Sequence, residues 1–416
     1  MLRMTCPHFL SHDLVRETFL RGDTLKLTSS LPVNKTTVGS VINMGSGLIH
    51  LELIGFDTIL DQGFAAVVTH LTSLRVLNLR GCTKVGQKTI ETAAKRCPNL
   101  TTVNLNYTSV SPVSLVPLLL TCQKHLEVLK LAGISSWANT TIVKALSLLP
   151  QGGVLCFPAL RTLKLRQTSL TDISLNLLLP SCPALRRLDI SFTGIRHPHQ
   201  FMQGSRIALE KLSLTSTAVS SDFLVTAISC IPSLRILSIG ALGGGPGQAP
   251  AIRNTTAMTL TDDALSCLVD VLDTYESIKS ISLVGNTKLG MTGGRNRALA
   301  DFVARIGRRL KVLNLAGIPS LRSEDLIGLL VDNAGQEPSR LQELILNNTA
   351  VDDDAAPYIS SCSSLETLEV AGTKFTSRGL FTIVDACTLL TKLDLTSCRG
   401  VRIVDRRRFF QVCDYK

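Results

Sequence analysis

The chain has 416 residues, of which 45% are hydrophobic but only 4% aromatic, and its formal net charge is +11. The scarcity of aromatic rings disfavours a nucleic-acid partner, because single strands are usually held on aromatic platforms. The apolar runs are too short to cross a bilayer, and the N-terminus has no continuous apolar signal region, so we expect no membrane partner and an intracellular location, cytoplasmic or nuclear.

A short pattern, Leu-x-x-Leu-x-Leu, returns along almost the whole chain, most often at intervals of roughly 25 residues. Because successive side chains of a strand point to opposite faces, each copy predicts a strand with one leucine-lined face. A weaker copy, Gly22-x-x-Leu25-x-Leu27, predicts the first strand of the array. The clear copies begin at Leu48, Leu74, Leu100, Leu126, Leu160, Leu185, Leu209, Leu234, Ile278, Leu310, Leu341, Leu365 and Leu390.

After each strand motif the sequence predicts a turn and an amphipathic helix. Ser, Thr or Asp stands at the start of these segments, where its side chain can cap the exposed amides of the first turn. Pro117 and Pro357 fall inside helical segments, and we expect them to make those helices short or irregular. Predicted helices cover residues 111–122, 171–182, 220–231, 261–276, 293–310, 323–333 and 376–387.

Strand and helix joined by a right-handed crossover give parallel strands with the helices on one side. Helices are wider than strands, so stacked units should curve. The predicted fold is therefore an α/β leucine-rich-repeat solenoid, a horseshoe with a parallel inner sheet and outer helices. About thirteen repeats occupy 22–416, after a lead segment at 1–21. A Gly- and Pro-rich insertion at 240–258 is interpreted as a surface loop or, alternatively, as a lip of the binding groove.

The segment 396–416 is predicted to cap the last repeat, because a terminal layer needs a polar outer face. Its apolar residues are expected to cover the repeat, and its charged residues to face water. The apolar set is Ile403, Val404, Phe409, Phe410 and Val412, and the charged set is Asp405, Arg406, Arg407 and Arg408. The alternative is a basic patch that acts as a nuclear-localisation signal or binds an acidic partner.

Several of the twelve cysteines recur at fixed places in the repeat. A fixed place predicts one buried layer, in which a free cysteine acts as a small hydrophobic residue. No Cys-x-x-Cys pair occurs, so we expect structural thiols without metal. Cys97, Cys182, Cys362 and Cys387 lie three residues before the first Leu of a repeat, and Cys122, Cys156 and Cys230 lie four before it.

No set of nucleophile, base and oxyanion donor can be assembled from the sequence, so we predict a protein that is not an enzyme and uses no cofactor or metal. His197-Pro-His199 could suggest a pair of metal ligands, but no further His or Cys of that unit joins it. Asp352-Asp353-Asp354 resembles part of a calcium loop without the spaced oxygens, and is more typical of the start of a helix.

The polar positions of the strand motifs make up the predicted concave face, which should be basic in its first and middle parts and acidic near its end. Basic residues of neighbouring strands would form a band, since the strands lie about 4.8 Å apart. Such a band is either a solvated face or a site for an acidic or phosphorylated protein segment, with Arg166 and Arg187 as bidentate donors. Candidate partner-binding residues are Arg80, Lys130, Lys164, Arg166, Arg187, Asp189 and Lys211.

The strand motif and the cysteine column together resemble the cysteine-containing leucine-rich repeats of the ribonuclease-inhibitor-like superfamily. Matching segments include Cys97-Pro-Asn-Leu-Thr-Thr-Val-Asn-Leu105 and Cys182-Pro-Ala-Leu-Arg-Arg-Leu-Asp-Ile190. The similarity covers nearly everything from about residue 22 onward. This class is common in substrate receptors of F-box ubiquitin ligases, but the segment before Leu25 is too short for an F-box of about forty residues.

The resemblance implies a non-catalytic protein-binding scaffold, with substrate recognition in ubiquitin-dependent turnover as the first hypothesis and ligase subunits among its partners. The alternative is a signalling or cytoskeletal regulator that binds a small GTPase or a similar partner through its concave face. Both hypotheses need a protein partner, and neither follows from the fold by itself.

Overall fold

The computed structural model describes residues 23–29, 47–149, 155–198, 207–241, 260–291, 297–330 and 338–414. The lead segment at 1–21, most of the insertion at 240–258, His199 and parts of two predicted helices (293–296 and 331–333) lie outside these ranges. Two compact units divide the chain, the first running to Ile195 and the second taking most of the remaining residues.

The strands of the first unit are parallel, and each pairs with the strand of the next repeat. The weak copy of the motif forms the first of them, as predicted. They are β1 (Thr24–Thr28), β2 (His50–Ile54), β3 (Val76–Asn78), β4 (Thr102–Asn104), β5 (Val128–Lys130), β6 (Thr162–Lys164) and β7 (Arg187–Asp189).

A helix follows each strand from β2 to β6, and consecutive helices pack against each other. They are α1 (Asp61–Thr69), α2 (Gln87–Arg96), α3 (Pro112–Cys122), α4 (Asn139–Ser147) and α5 (Asp172–Leu178), which continues into a 3₁₀ turn at Leu179–Ser181. The predicted cap of α3 is confirmed, because the Ser111 hydroxyl accepts a hydrogen bond from the Ser114 amide at 3.1 Å.

The second unit repeats the scheme with seven parallel strands, paired in chain order. The strands are β8 (Lys211–Ser213), β9 (Ile236–Ser238), β10 (Ser280–Ser282), β11 (Val312–Asn314), β12 (Glu343–Ile345), β13 (Thr367–Glu369) and β14 (Lys392–Asp394). The α-helices are α6 (Ser221–Ser229), α7 (Asp262–Asp273), α8 (Ala298–Arg305), α9 (Ala356–Ser360), α10 (Ser377–Ala386) and α11 (Ile403–Asp414).

In the three-residue strands β3 to β14 the middle residue is a buried leucine, valine or isoleucine, and the residues beside it are more exposed. Leu163 and Leu188, for example, are 4% and 1% exposed and stand opposite each other in the register. Burying one such side chain contributes about 1.5 to 3 kcal/mol. Alternation along the strands therefore places the leucines toward the helices and leaves the other face polar. The predicted α/β leucine-rich-repeat fold is confirmed in each unit.

The buried thiol layer is confirmed for the cysteines three residues before the motif and for Cys122, but it is wrong for Cys156 and Cys230, which are exposed. In those two repeats the next residue, Phe157 or Ile231, occupies the buried place with 5% or 2% exposure. The Cys230 thiol donates instead to the Thr226 carbonyl on the helix surface. In these two repeats the residue three positions before the motif is apolar, and it is buried in place of the cysteine four positions before the motif.

Two predicted helices have a different form. Residues Ser323–Leu329 form a 3₁₀ helix instead of the start of an α-helix over 323–333. Helix α3 continues through Pro117, which had been expected to shorten or distort it. Because Pro117 lies on the exposed side of α3, the carbonyl that loses its amide partner can accept from water.

A helix, α11, occupies the segment predicted to cap the last repeat; its predicted orientation is right for Phe409, Arg407 and Arg408 but wrong for Ile403, Val404 and Asp405. Ile403 and Val404 are 77% and 72% exposed, whereas Asp405 is only 3% exposed. Asp405 and Phe409 are four residues apart, so they share one face of α11, and both are buried, as is Val401 just before the helix. The carboxylate of Asp405 accepts from the Arg402 guanidinium at 2.8 Å, and this pairing makes its burial tolerable.

The acidic run at 352–354 begins a helical segment, as predicted. A 3₁₀ turn at Asp353–Ala355 leads into the short helix α9, which contains Pro357. The carboxylate of Asp352 accepts from the Asp354 amide at 3.2 Å, so it acts as the N-terminal cap.

Candidate functional site

The exposed side chains of the strands form the surface that we call the strand face of the first unit. The last residues of β3 to β7, with Glu52 of β2, make one row across it, because each is the register partner of the next. In chain order the row is Glu52, Asn78, Asn104, Lys130, Lys164 and Asp189. The two lysines are therefore direct neighbours in the middle of the row.

Lys130 and Lys164 are half-buried, and parallel strands place them about 4.8 Å apart at the backbone. Burial lowers the pKa of Lys130, and the positive charges of Lys164 and Arg80 lower it further, while Glu52 acts in the opposite direction. The ion pairs described on this face join Glu52 to Lys26 and His50, and they involve neither Lys130 nor Lys164. The pair thus carries repulsion that an anion could relieve.

Arg166 lies two residues after Lys164 and points to the same side. Its guanidinium carbon is 4.6 Å from the centre of the Phe192 ring, which is itself 5% exposed. A cation held over an aromatic face is attracted by the ring, and stacking restricts the guanidinium plane. The N–H edges of the exposed Arg166 remain available to a ligand.

The remaining predicted residues of the first unit, Arg80, Arg187 and Asp189, lie on the neighbouring strands β3 and β7 or just after them. Arg187 is exposed and stands opposite Thr162 in the register, while Arg80 is exposed at the end of β3. The carboxylate of Asp189 accepts from the Ser191 amide at 3.2 Å. Asp189 is also the register neighbour of Lys164, so its negative charge partly offsets the positive charge of that lysine.

Lys211 is half-buried at the start of β8, in the second unit, where its register neighbour is Ile236 of β9. It therefore belongs to a different compact unit from the other predicted residues, and it has no basic neighbour on β9.

The strand face of the second unit is acidic toward its end, at Glu343, Glu366, Glu369 and Asp394. Lys392 donates to Glu369 at 2.9 Å, and this bond raises the pKa of Lys392. The other oxygen of Glu369 accepts from the Asn347 amide group at 3.0 Å. Glu369 is thus paired with Lys392 within the unit, whereas Lys130 and Lys164 take part in none of the ion pairs described on their face.

Sequence reasoning did not identify the loop position that follows each strand. This position has a positive φ in most of the described repeats, and half of these residues are glycines, including Gly81, Gly133 and Gly317. In the first unit Tyr107, Gln167 and Phe192 occupy it instead. Glycine recurs two residues after the last Leu of the motif, and this recurrence could have predicted a loop position with a positive φ.

These loop residues contact one another across repeats. The hydroxyl of Tyr107 donates to the side-chain oxygen of Gln167 at 3.3 Å. The Tyr107 ring covers Gly133 so closely that a Cβ atom at that position would collide with it. We call Tyr107, Gln167 and Phe192 the loop rim of the first unit, and Arg166 lies against it.

Neither a metal cluster nor a membrane-spanning helix is found among the described residues. Within the described ranges no group of three or more His, Cys, Asp or Glu residues could hold a metal ion. Among the helices of those ranges, none has the length and apolar character needed to cross a membrane.

No family model matches the chain. A stretch of 282 residues, 64% of the chain, is 24% identical to bovine tubulin-specific chaperone E and covers 50% of that protein. A shorter stretch of 75 residues, 18% of the chain, is 32% identical to the putative F-box/LRR-repeat protein 23 of Arabidopsis thaliana and covers 17% of it. The chain therefore spans half or less of the length of these curated relatives.

Solved structures of similar backbone include the yeast Rad7–Elc1 complex, with a TM-score of 0.49, 16% identity, and coverage of 95% of this chain and 84% of that chain. A leucine-rich-repeat protein of Leptospira interrogans has a TM-score of 0.45 and 14% identity, with coverage of 97% and 96%. The parallel strands and the helices that follow them make this chain an α/β leucine-rich-repeat solenoid.

Proposed function

We propose that this protein is a non-catalytic scaffold that holds an acidic segment of a protein partner against the strand face of the first unit. The observation that carries the proposal is the adjacent pair Lys130 and Lys164, which take part in none of the ion pairs described on that face. Like charges on neighbouring strands are destabilising, so an anionic partner gains affinity by neutralising them.

The relatives support a protein partner. One is named as a chaperone specific for tubulin, and the other as an F-box protein with leucine-rich repeats. Regularly spaced strands provide a long polar surface that suits an extended protein segment better than a small molecule. The described strand residues also include few aromatic rings that could stack bases.

Within this proposal, substrate recognition in ubiquitin-dependent turnover is the first candidate role. It is supported by the cysteine-containing form of the repeats and by the short likeness to an F-box/LRR-repeat protein. In this role the protein would act in the cytoplasm or nucleus, and ligase adaptor subunits would join the complex.

A cytoskeletal role is the second candidate, and the likeness to tubulin-specific chaperone E favours it because that likeness extends over 282 residues. In this role the acidic partner would be tubulin or a protein associated with it. A small GTPase, the other partner considered for a regulator of this kind, belongs to the same candidate role.

Affinity purification with mass spectrometry tests the proposal. The tagged chain is compared with the double variant Lys130→Glu/Lys164→Glu and with Lys95→Glu/Arg96→Glu, which makes the same charge change on the exposed surface of α2. We expect the first variant to lose the partner and the second to retain it. Equal recovery by all three proteins would disprove the proposed site.

The same experiment separates the two roles. Recovery of ubiquitin-ligase adaptor subunits with the wild-type chain would support the first role. Recovery of tubulin, tubulin-associated proteins or a GTPase would support the second. Both assignments require that the recovered protein is lost with Lys130→Glu/Lys164→Glu.

A further inference from the structure

On the strand face of the first unit, one positively charged group has a fixed orientation, which binding to an acidic segment by charge alone does not require. The Arg166 guanidinium lies 4.6 Å from the Phe192 ring, so one of its faces is fixed against the protein. A fixed guanidinium presents its two parallel N–H groups in one direction. This geometry matches two oxygens of a single anionic group.

Two ammonium groups lie on the same face as this guanidinium. Lys164 is on the strand that leads to Arg166, and Lys130 is its partner on β5. A carboxylate carries one negative charge and offers two oxygens. A phosphoryl group carries about two negative charges at neutral pH and offers three oxygens, so it can satisfy a guanidinium and an ammonium group together and still gain from a second positive charge nearby.

The loop rim fixes the position of Phe192, the ring against which the Arg166 guanidinium lies. Phe192 and Gln167 have φ values of 59° and 61°, at a loop position that is glycine in half of the repeats with a positive φ there. Residues other than glycine hold this backbone conformation only where the surrounding structure fixes it. Phe192 is buried in this conformation beneath Arg166.

We propose that Lys164 and Arg166, with Phe192 as the platform beneath the guanidinium, bind the phosphoryl group of a phosphorylated side chain in the protein partner, and that Lys130 on the neighbouring strand adds positive charge beside them. The proposal rests on the function proposed above, since it places a phosphorylated residue within the acidic segment. Arg187 lies beside the group and would contact acidic residues that flank the phosphorylated position.

The test uses the full chain and oriented peptide libraries with one fixed central residue: phosphoserine, phosphothreonine, serine or glutamate. A polyglutamate peptide and vesicles containing a phosphoinositide serve as further probes. We expect the phosphorylated libraries to be retained about tenfold more strongly than the glutamate library. Equal retention of the two, or retention on the vesicles without retention of phosphopeptides, would overturn the proposal.

The variant Arg166→Lys keeps the charge but loses the planar fork and its stacking. We expect it to weaken binding of a selected phosphopeptide about tenfold while polyglutamate binding changes little. Arg161→Lys, an exposed residue just before β6, is the matched control and should change neither. An unchanged phosphopeptide affinity in Arg166→Lys would contradict the proposed phosphoryl site.

The outcomes also separate this inference from the proposed function. If Lys130→Glu/Lys164→Glu abolishes polyglutamate binding but phosphorylation adds no affinity, the acidic-segment site stands and the phosphoryl site fails. If the double variant binds polyglutamate as well as the wild type does, the proposed function fails. Acid provides another check: phosphopeptide affinity should fall below about pH 6, where the phosphoryl group takes up its second proton.

Discussion

At the scale of single residues, Asp61 shows how one repeat stabilises the next. Its carboxylate accepts hydrogen bonds from the backbone amides of Gly86, Lys88 and Thr89 at 2.9, 2.9 and 3.1 Å, at the start of the following helix α2. Burial opposes ionisation of Asp61, but the bonds from Thr89 and from the amides outweigh it and lower the pKa. Gly86 is the N-terminal cap residue of α2 and has no side chain to do this.

We therefore expect Asp61→Ala to lower the free energy of unfolding by about 1 to 2 kcal/mol, the usual effect of losing a helix cap. Because the folded pKa lies below 3.8, this stabilisation is present above pH 3.8 and is lost as the pH falls through the folded pKa. Urea unfolding at pH 7 and near pH 3 measures both effects. If Asp61→Ala lowered the free energy of unfolding by the same amount at both pH values, this account would be wrong.

Tyr107 combines an exposed ring with a strained backbone. Its φ is 58°, and its ring covers Gly133 in the next repeat. Tyr107→Ala and Tyr107→Gly both remove the ring, but only glycine relieves the backbone. We expect Tyr107→Gly to be more stable than Tyr107→Ala by about 1 kcal/mol, measured by thermal or urea unfolding. Equal stability of the two variants would show that the strain is absent.

At the scale of the structural elements, the cysteine layer links successive helices. The Cys97 thiol donates to the Leu71 carbonyl at 3.2 Å, and Cys122 donates to the Cys97 carbonyl at 3.8 Å, each joining one repeat to the preceding one. Burial raises the pKa of Cys97 and of Cys182 to about 12. These thiols are therefore packing residues with very little thiolate at neutral pH.

Alkylation with iodoacetamide at pH 8 should modify the exposed Cys156, Cys230 and Cys267 well before Cys97 or Cys182. The buried thiols should react only after the chain is unfolded in urea. Mass spectrometry of tryptic peptides over time gives the order of modification. Labelling of Cys97 at the rate of Cys230 in the folded protein would contradict a closed layer.

The strand cores can be tested at β7. Leu188 is 1% exposed, whereas the residue before it, Arg187, is exposed. We expect Leu188→Asp to cost about 3 to 5 kcal/mol, since it removes apolar burial and places a charge in a dry layer. The control Arg187→Asp introduces aspartate at the neighbouring, exposed position, and it should change the unfolding midpoint little. Similar midpoints for the two variants would mean that the orientation of β7 is wrong.

The elements also show why some features could be predicted from the sequence and others could not. Strand register follows from the motif, so Lys130 and Lys164 could be placed side by side in advance. The orientation of α11 depends on which of several apolar residues meets the last repeat. Hydrophobicity favoured Ile403 and Val404, but helical periodicity and the Arg402 partner of Asp405 decided otherwise.

At the scale of the whole molecule, the strand face of the first unit has two adjacent lysines outside the described ion pairs, and that of the second has Glu369 paired with Lys392. The contact between Arg166 and Phe192 depends on a backbone conformation that leucine periodicity does not report. The polar row was therefore predictable from the repeat, but the ordered cation beside it was not. The division into two compact units was likewise not visible in the repeat spacing.

Zero-length carbodiimide cross-linking of the purified complex tests the central claim most directly, because the reagent joins lysine amines to carboxylates that are already in contact. After digestion and mass spectrometry, we expect cross-links from Lys130 and Lys164 to acidic residues of the partner. Lys88, Lys95 and Lys144, which lie on α2 and α4, should yield few or none. Cross-links confined to those helical lysines would contradict the placement of the partner on the strand face of the first unit.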